Sequence, residues 1–379
     1  MIPQIPDEMK ISFKELKFGH FLRQANIDKA KGFPALGLFI TIFLLAFQHE
    51  TWFQQKAMSK KSPSLPGKDA IYRFLNKPTF NWRKFLLLFS DHAIKCCERL
   101  TRKDRVKVLI VDDSLFERAR SKKVELLSKV FDHTTRRFVK GYQMLTLGWS
   151  DGATFIPVNF GLIAYPKHLI EGISERIDKR TSGYKRREEC LLPKPQATAK
   201  MIMQALKAGI TADYVLMDTW FTEEPLMKAI MEHGLGIIGM LKRNPRRKYS
   251  LRGKKYTLDQ ILARCNHNKN GNAILGSQLV GMAGGTTVRI VFVRNRNNPQ
   301  KWLAVLSTDL TLSDEEIIRI YGYRWEIEVF FKCNKSHLSL NKEFQCRTYD
   351  AMIAHTTIVF SRYIFLAWEH LGTKESPGS

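Results

Sequence analysis

Apolar and polar positions alternate along the chain in three regimes. Up to about residue 100 the apolar positions recur at helical spacing. Phe33–Phe47 (FPALGLFITIFLLAF) is apolar almost throughout and predicts a buried helix, while Lys68–Asn76 and Asn81–Leu100 mix apolar and charged positions as amphipathic helices do. Between them Ser59–Gly67 (SKKSPSLPG) carries two prolines and a glycine and reads as a loop. From Val106 the period drops to two. VKVLIVDDS is a β-branched run ending in two acids, as a strand delivering a carboxylate to its end would be. After a basic, polar connection over Glu117–Lys140, two more apolar runs, Tyr142–Trp149 and Thr154–Ala164, flank Ser150-Asp151-Gly152, a hairpin signal.

Residues 166–200 read as a charged, irregular connection. A helix over Ala197–Ala208 then leads into a short strand ending at Asp218, a helix from about Glu223 to His233, and a strand over Leu235–Leu241. Strand–helix–strand order predicts parallel pairing and puts Asp218 at a carboxyl edge, where sites in open α/β sheets lie. Residues 242–312 change character again. Lys242–Tyr256 holds eight cations and no acid, which reads either as a solvated loop or as a phosphate-backbone track. Alternating strands follow at Gln278–Met282, Thr286–Arg294 and Trp302–Ser307, with Gly284-Gly285 as a turn.

The third regime is Tyr321–Lys335 (YGYRWEIEVFFKCNK), which predicts one helix. At 100° per residue, Tyr321, Arg324, Glu328 and Lys335 share an arc of about 60° while Glu326 lies on the other side. On spacing alone this is equally an ordinary charged face with an Arg–Glu pair at i,i+4, or a carboxylate held among cations that suit a phosphate-bearing substrate.

Composition sharpens the choice. A 379-residue chain that is 44% hydrophobic can bury a large core. Its 61 Lys+Arg against 36 Asp+Glu give a net charge of +25, which predicts a polyanionic partner, nucleic acid or an anionic membrane surface. The apolar run at 33–47 is too short to span a bilayer, which needs about 20 residues, so no membrane partner is expected. Six scattered cysteines without paired spacing argue against a zinc site or a disulfide framework and fit reduced thiols in a cytoplasm. His133 and His168 read as structural or surface histidines.

IVDDS, VLMDTWF and the spacing Y-x2-R-x3-E-x6-K together resemble the DDE transposases of the insertion sequence four group, over about residues 68–370. The resemblance implies an α/β fold: an RNase-H-like core in two parts (101–241 and 313–370), a helical N-terminal region (1–100), a β-rich basic insertion (242–312) and a polar tail (371–379). The N-terminal region would hold DNA ends or cap the core. Asp112, Asp218 and Glu328 would be the catalytic carboxylates, binding two Mg²⁺ ions that Mn²⁺ can replace. The pattern Asp-x-Ser/Thr selects Asp112, as does the strand alternation that groups it with Val106, Val108 and Ile110; Asp113 is the fallback. Tyr321, Arg324 and Lys335 would hold phosphates, and Trp325 and Trp302 would stack on a flipped base, although an aromatic in a strand such as Trp302 is more often core. Lys242, Arg243, Arg246, Arg247, Lys248 and Arg252 form the basic track. The implied partners are double-stranded DNA, as terminal inverted repeats and target, and a second copy in a synaptic homodimer. The competing expectation is a copy, shortened at its C-terminus or inactive, that binds DNA without transposing.

Overall fold

The computed structural model describes residues 5–48, 66–102, 104–132, 134–265, 273–296, 298 and 300–374. Most of the loop expected at Ser59–Gly67, His133 and most of the tail expected from residue 371 lie outside the described residues.

The helical spacing at the start of the chain produces α1 (Asp7–Glu15), α2 (Phe18–Gln24), α3 (Ala35–Leu44), α4 (Lys68–Leu75) and α5 (Trp82–Leu100). All of α3 except Leu36 is buried, as a helix with no polar face must be. Ser90 of α5 donates to the Pro157 carbonyl (2.7 Å), which fixes the helix on the sheet.

Among the described residues that sheet has eleven strands. The first four are β1 (Val108–Glu117), β2 (Ser128–Asp132), β3 (Arg137–Ser150) and β4 (Phe155–Ile163). β3 pairs antiparallel with β1 along one edge, and with β2 and then β4 along the other. β2 lies inside the stretch expected to be a plain connection. The turn between β3 and β4 needs Gly152: its φ is +81°, and a Cβ there would collide with the Tyr323 ring. A helix absent from the expected connection, α6 (Ser182–Cys190), precedes α7 (Lys194–Lys207).

β5 (Tyr214–Met217), α8 (Glu224–Met231) and β6 (Gly236–Leu241) form the expected parallel unit, and β5 pairs parallel with both β1 and β6. The cation-rich stretch that follows folds into a hairpin, β7 (Tyr249–Leu251) and β8 (Lys254–Tyr256), and a short helix, α9 (Leu258–Leu262). Arg252 and Gly253 at its tip both take positive φ, +50° and +77°, the turn that matches the strand twist. β9 (Ile274–Gly281), β10 (Thr287–Arg294) and β11 (Trp302–Ser307) complete the sheet in the order β2-β3-β1-β5-β6-β11-β10-β9-β7-β8, with β4 beside β3. β11 pairs antiparallel with β6, so the β-rich stretch continues the sheet that carries both aspartates.

The single helix expected over Tyr321–Lys335 is two: α10 (Asp314–Gly322) and α11 (Trp325–Ser336). At the junction the N–H groups of Tyr323, Arg324, Glu326 and Ile327 bond three residues back rather than four (3.0–3.3 Å), a tightened turn between the two helices. The last helix, α12 (Tyr349–Lys374), is long and apolar enough to cross a membrane, but 78% of its most apolar window is buried inside the protein, against α3, α4, α5 and β4. All six cysteines are unbridged.

Candidate active site

The site is set by where two ladders stop. Parallel pairing of β1 with β5 ends at Val111–Met217, so Asp112 and Asp218 are the next residues on neighbouring strands. Asp218 lies past the end of β5, as expected. Asp112 does not end its strand: β1 runs on to Glu117 against β3, since that antiparallel ladder continues to Glu117–Gly141. The side chains of Val108–Val111 are at most 1% exposed, whereas the next three residues are half-buried. The carboxylates stand where the core opens.

Strand alternation sends Asp112 and Asp113 to opposite faces. Asp112 accepts from Arg324 (Nη1 to Oδ2, 2.8 Å), at the start of α11, and the same guanidinium bonds Glu328 one turn on. Asp113 is ion-paired with Lys194 at the start of α7. Burial pushes the Asp112 carboxyl up to about 7; Asp218 adds to the shift and Arg324 opposes it. Asp218 is raised in the same sense by burial and by Asp113, against the Trp220 N–H that donates to Oδ1 (2.8 Å) and the nearby Arg324. Burial works against the charge on Arg324, but Tyr321, Asp112 and Glu328 outweigh it and its pKa is raised. The buried Tyr321 hydroxyl has no hydrogen-bond partner among the described residues; burial, Asp218 and Asp112 keep its proton on. Lys335 donates to Ser114 (2.6 Å), tying the end of α11 to β1.

Asp112, Asp218, Tyr321, Arg324 and Glu328 therefore converge despite the break in the helix. Lys335 joins the same strand two residues along. Trp325 is 64% exposed beside Arg324. Trp302 starts β11, pairs with Arg294 and lies beyond the last β11–β6 pair, Ala304–Leu241; it packs edge-on against Phe292 and carries the Arg243 guanidinium over its ring at 5.1 Å. In the basic track, Lys242, Arg243, Arg246, Lys248 and Arg252 are exposed. Arg247 is half-buried and bonded to the Thr222 carbonyl (3.2 Å) and Glu223, so it is committed to holding the start of α8. His168 is exposed.

Among the described residues, no three His, Cys, Asp or Glu side chains converge closely enough to ligate one ion. The donors nevertheless fit a hard divalent cation in kind: all are carboxylate oxygens, and burial raises the pKa of two of them, Asp112 and Asp218, despite Arg324 close by. Arg324 supplies the counter-charge between Asp112 and Glu328.

Two participants escape sequence reasoning. Lys194 meets Asp113 from 81 residues away, and no local signal marks it. Trp220, 58% exposed, follows Asp218 by two residues with the Lys242 ammonium 4.8 Å from its ring centre; its place in VLMDTWF was the available clue.

A mixed sheet with one aspartate on a central strand, a second just past the end of its parallel neighbour and a glutamate on a helix is the architecture of an RNase-H-like DDE domain. The chain belongs to the DDE family of transposases and endonucleases: the model of the DDE superfamily endonucleases matches residues 52–248, and that of the transposase DDE domain matches residues 194–364. Asp112 falls in the first match, Asp218 in both and Glu328 in the second. No curated protein matches the chain.

Proposed function

We propose that this transposase belongs to the insertion sequence four group, binds the terminal inverted repeats of a bacterial insertion element as double-stranded DNA, and moves the element by cutting and pasting. One observation carries the reading: Asp112 and Asp218 stand side by side beyond the last parallel pair while Arg324 links Asp112 to Glu328. In this reading Asp112, Asp218 and Glu328 hold two Mg²⁺ ions, or Mn²⁺ in their place. Bound there, such ions activate the attacking oxygen and stabilise the leaving oxygen of an in-line displacement at phosphorus.

Arg324 exchanges its carboxylate partners for a DNA phosphate, which its planar fork grips bidentately. Lys335 gives up Ser114 and places a point charge on a neighbouring phosphate. The Tyr321 hydroxyl, still protonated, donates to a phosphate oxygen. Trp325 and Trp302 offer faces on which a flipped base stacks, each worth about 1–3 kcal/mol. Lys242, Arg243, Arg246, Lys248 and Arg252 hold the backbone outside the site, the N-terminal helices grip the element end, and two copies pair in the cytoplasm to join both ends.

The test is cleavage of labelled element-end DNA in Mg²⁺ or Mn²⁺ by the wild type and by Glu328→Gln, with binding followed in parallel. The reading requires cleavage by the wild type and its loss in Glu328→Gln with binding retained. Wild-type binding without cleavage, across metals and end sequences, would overturn it in favour of a copy that only holds DNA.

A further inference from the structure

A second basic surface lies along β1, away from the Lys242–Arg252 stretch. Beyond Ser114 the strand runs on to Glu117 and turns through residues 118–123, facing the end of α11 and the segment around Leu340–Arg347. Two clefts of about 640 and 510 Å³ open here, and they share Arg118, Arg120 and Ser121, so they form one trough. Its walls carry Arg118, Arg120, Lys122, Lys123, Lys342 and Arg347, with Lys335 at the end nearest Ser114; Glu117 is the one acid among the lining residues.

None of those six cations forms an ion pair with a described residue, and the same holds for Lys242, Arg246, Lys248 and Arg252 of the other basic stretch. Arg118 donates to the Cys346 carbonyl instead (2.7 Å), which holds it on the trough floor. A run of like charges on a convex surface dissipates its field in water. In a concave one the field is focused, and cations left without acids there repel one another until a polyanion arrives.

We infer that this trough holds the phosphate backbone of DNA on one side of the bond that is cut, and that the Lys242–Arg252 stretch holds it on the other. The inference rests on the proposed function. Its geometry comes from the sheet. The trough begins at Leu115, three residues past Asp112, and follows β1 outward, reaching Glu117 about 17 Å beyond Asp112 at the rise of a strand. The other basic stretch starts at the end of β6, two strands from β1 on the flank away from β3. The two cationic surfaces thus leave Asp112 and Asp218 in different directions.

The test uses the full chain and two charge-reversed variants on exposed positions: Arg120→Glu/Lys122→Glu/Lys123→Glu in the trough, and Arg246→Glu/Lys248→Glu in the other stretch. Unchanged melting temperatures establish that both fold. Binding of a labelled duplex of mixed sequence is measured across salt. At about 0.9 per phosphate contact, the trough variant should lose about 2–3 from the slope of log affinity against log salt. A wild-type slope and affinity in that variant would overturn the inference alone, and failure of the wild type to bind duplex DNA would overturn the proposed function with it. Hydroxyl-radical footprints on element-end DNA then locate the contacts. The two variants should lose protection on opposite sides of the cleaved bond; loss on the same side overturns the inference.

Discussion

At the scale of the residue, the most informative group is the Asp112 carboxyl. Its folded-state pKa of about 7 exceeds the ordinary 3.8, so the fold favours the protonated form. Below about pH 4 both states are protonated and nothing is lost. As pH rises from there to about 7 the unfolded chain ionises first, the folded state holds more protons, and stability falls. Asp218 is shifted in the same direction, and Glu326, raised to about 7 chiefly by burial, adds the same sign. Metal-free protein should therefore melt lower at pH 8 than at pH 5. Asp112→Asn should gain on the order of 2–4 kcal/mol over wild type at pH 8 while losing cleavage, and Glu326→Gln should gain stability without that loss. Melting curves in EDTA from pH 4 to 8 decide it; parallel curves for wild type and Asp112→Asn would show that Asp112 does not drive the trend. Arg324 supplies a second prediction. A lysine reaches only one of Asp112 and Glu328 at a time, so Arg324→Lys should cut cleavage by at least about tenfold with little change in melting temperature. Single-turnover assays measure this, and wild-type rates would remove Arg324 from the site.

At the scale of the element, the strongest ties are charged groups buried where helices meet. Arg362 of α12 is fully buried; it donates to the Ile42 and Phe43 carbonyls at the end of α3 and to the Leu338 carbonyl, and pairs with the equally buried Glu343. The last carbonyls of a helix lack the full set of helical partners, and although Ile42 also accepts from the Leu45 N–H (3.3 Å), the guanidinium closes the end of α3 and docks it on α12. Arg362→Met should cost about 3–5 kcal/mol because the buried Glu343 then keeps only its His355 contact (2.7 Å), and adding Glu343→Leu should restore part of that. Urea denaturation checks both; a double variant as unstable as the single would refute the charge argument. This network also marks the limit of what the sequence discloses. Periodicity located α3, α5, β1, β3, β4, β5, α8 and β6, since each is long or buried enough to impose its period on the composition. β7 and β8 are three residues each and mostly polar, held by pairing with each other and by a single pair with β9, so they left no trace. The break between α10 and α11 falls on residues with helical dihedrals, so no proline or positive φ announced it. The three candidate carboxylates could be nominated from sequence because each sits in a distinctive local run. Their partners were only partly so: Arg324 shares a turn with Glu328, but its bond to Asp112 spans 212 residues and Lys194 reaches Asp113 across 81.

At the scale of the whole molecule, the excess of 25 positive charges is a standing cost. Like charges on one body repel, and the folded state holds them closer than the unfolded chain does. The acids that offset them are partly sequestered: Glu125 and Asp350 pair with the buried Arg187, and Glu189 with Arg83 and Lys200. The surfaces along β1 and after β6 therefore face solvent with little compensation. A polyanion that binds the folded state should stabilise it by mass action, by about 2.7 kcal/mol at a hundredfold excess over Kd. Duplex DNA of any sequence should accordingly raise the melting temperature at low salt. Because counterion release drives the effect, it should vanish as salt approaches about 1 M, where the screening length is near 3 Å. Glu328→Gln should show the same rise in EDTA, since the effect arises from the basic faces and not from the carboxylates. Thermal melts of both proteins with and without duplex, over a salt series, measure it. A rise that survives high salt, or none at low salt, would mean that the net charge is not what draws this protein to DNA.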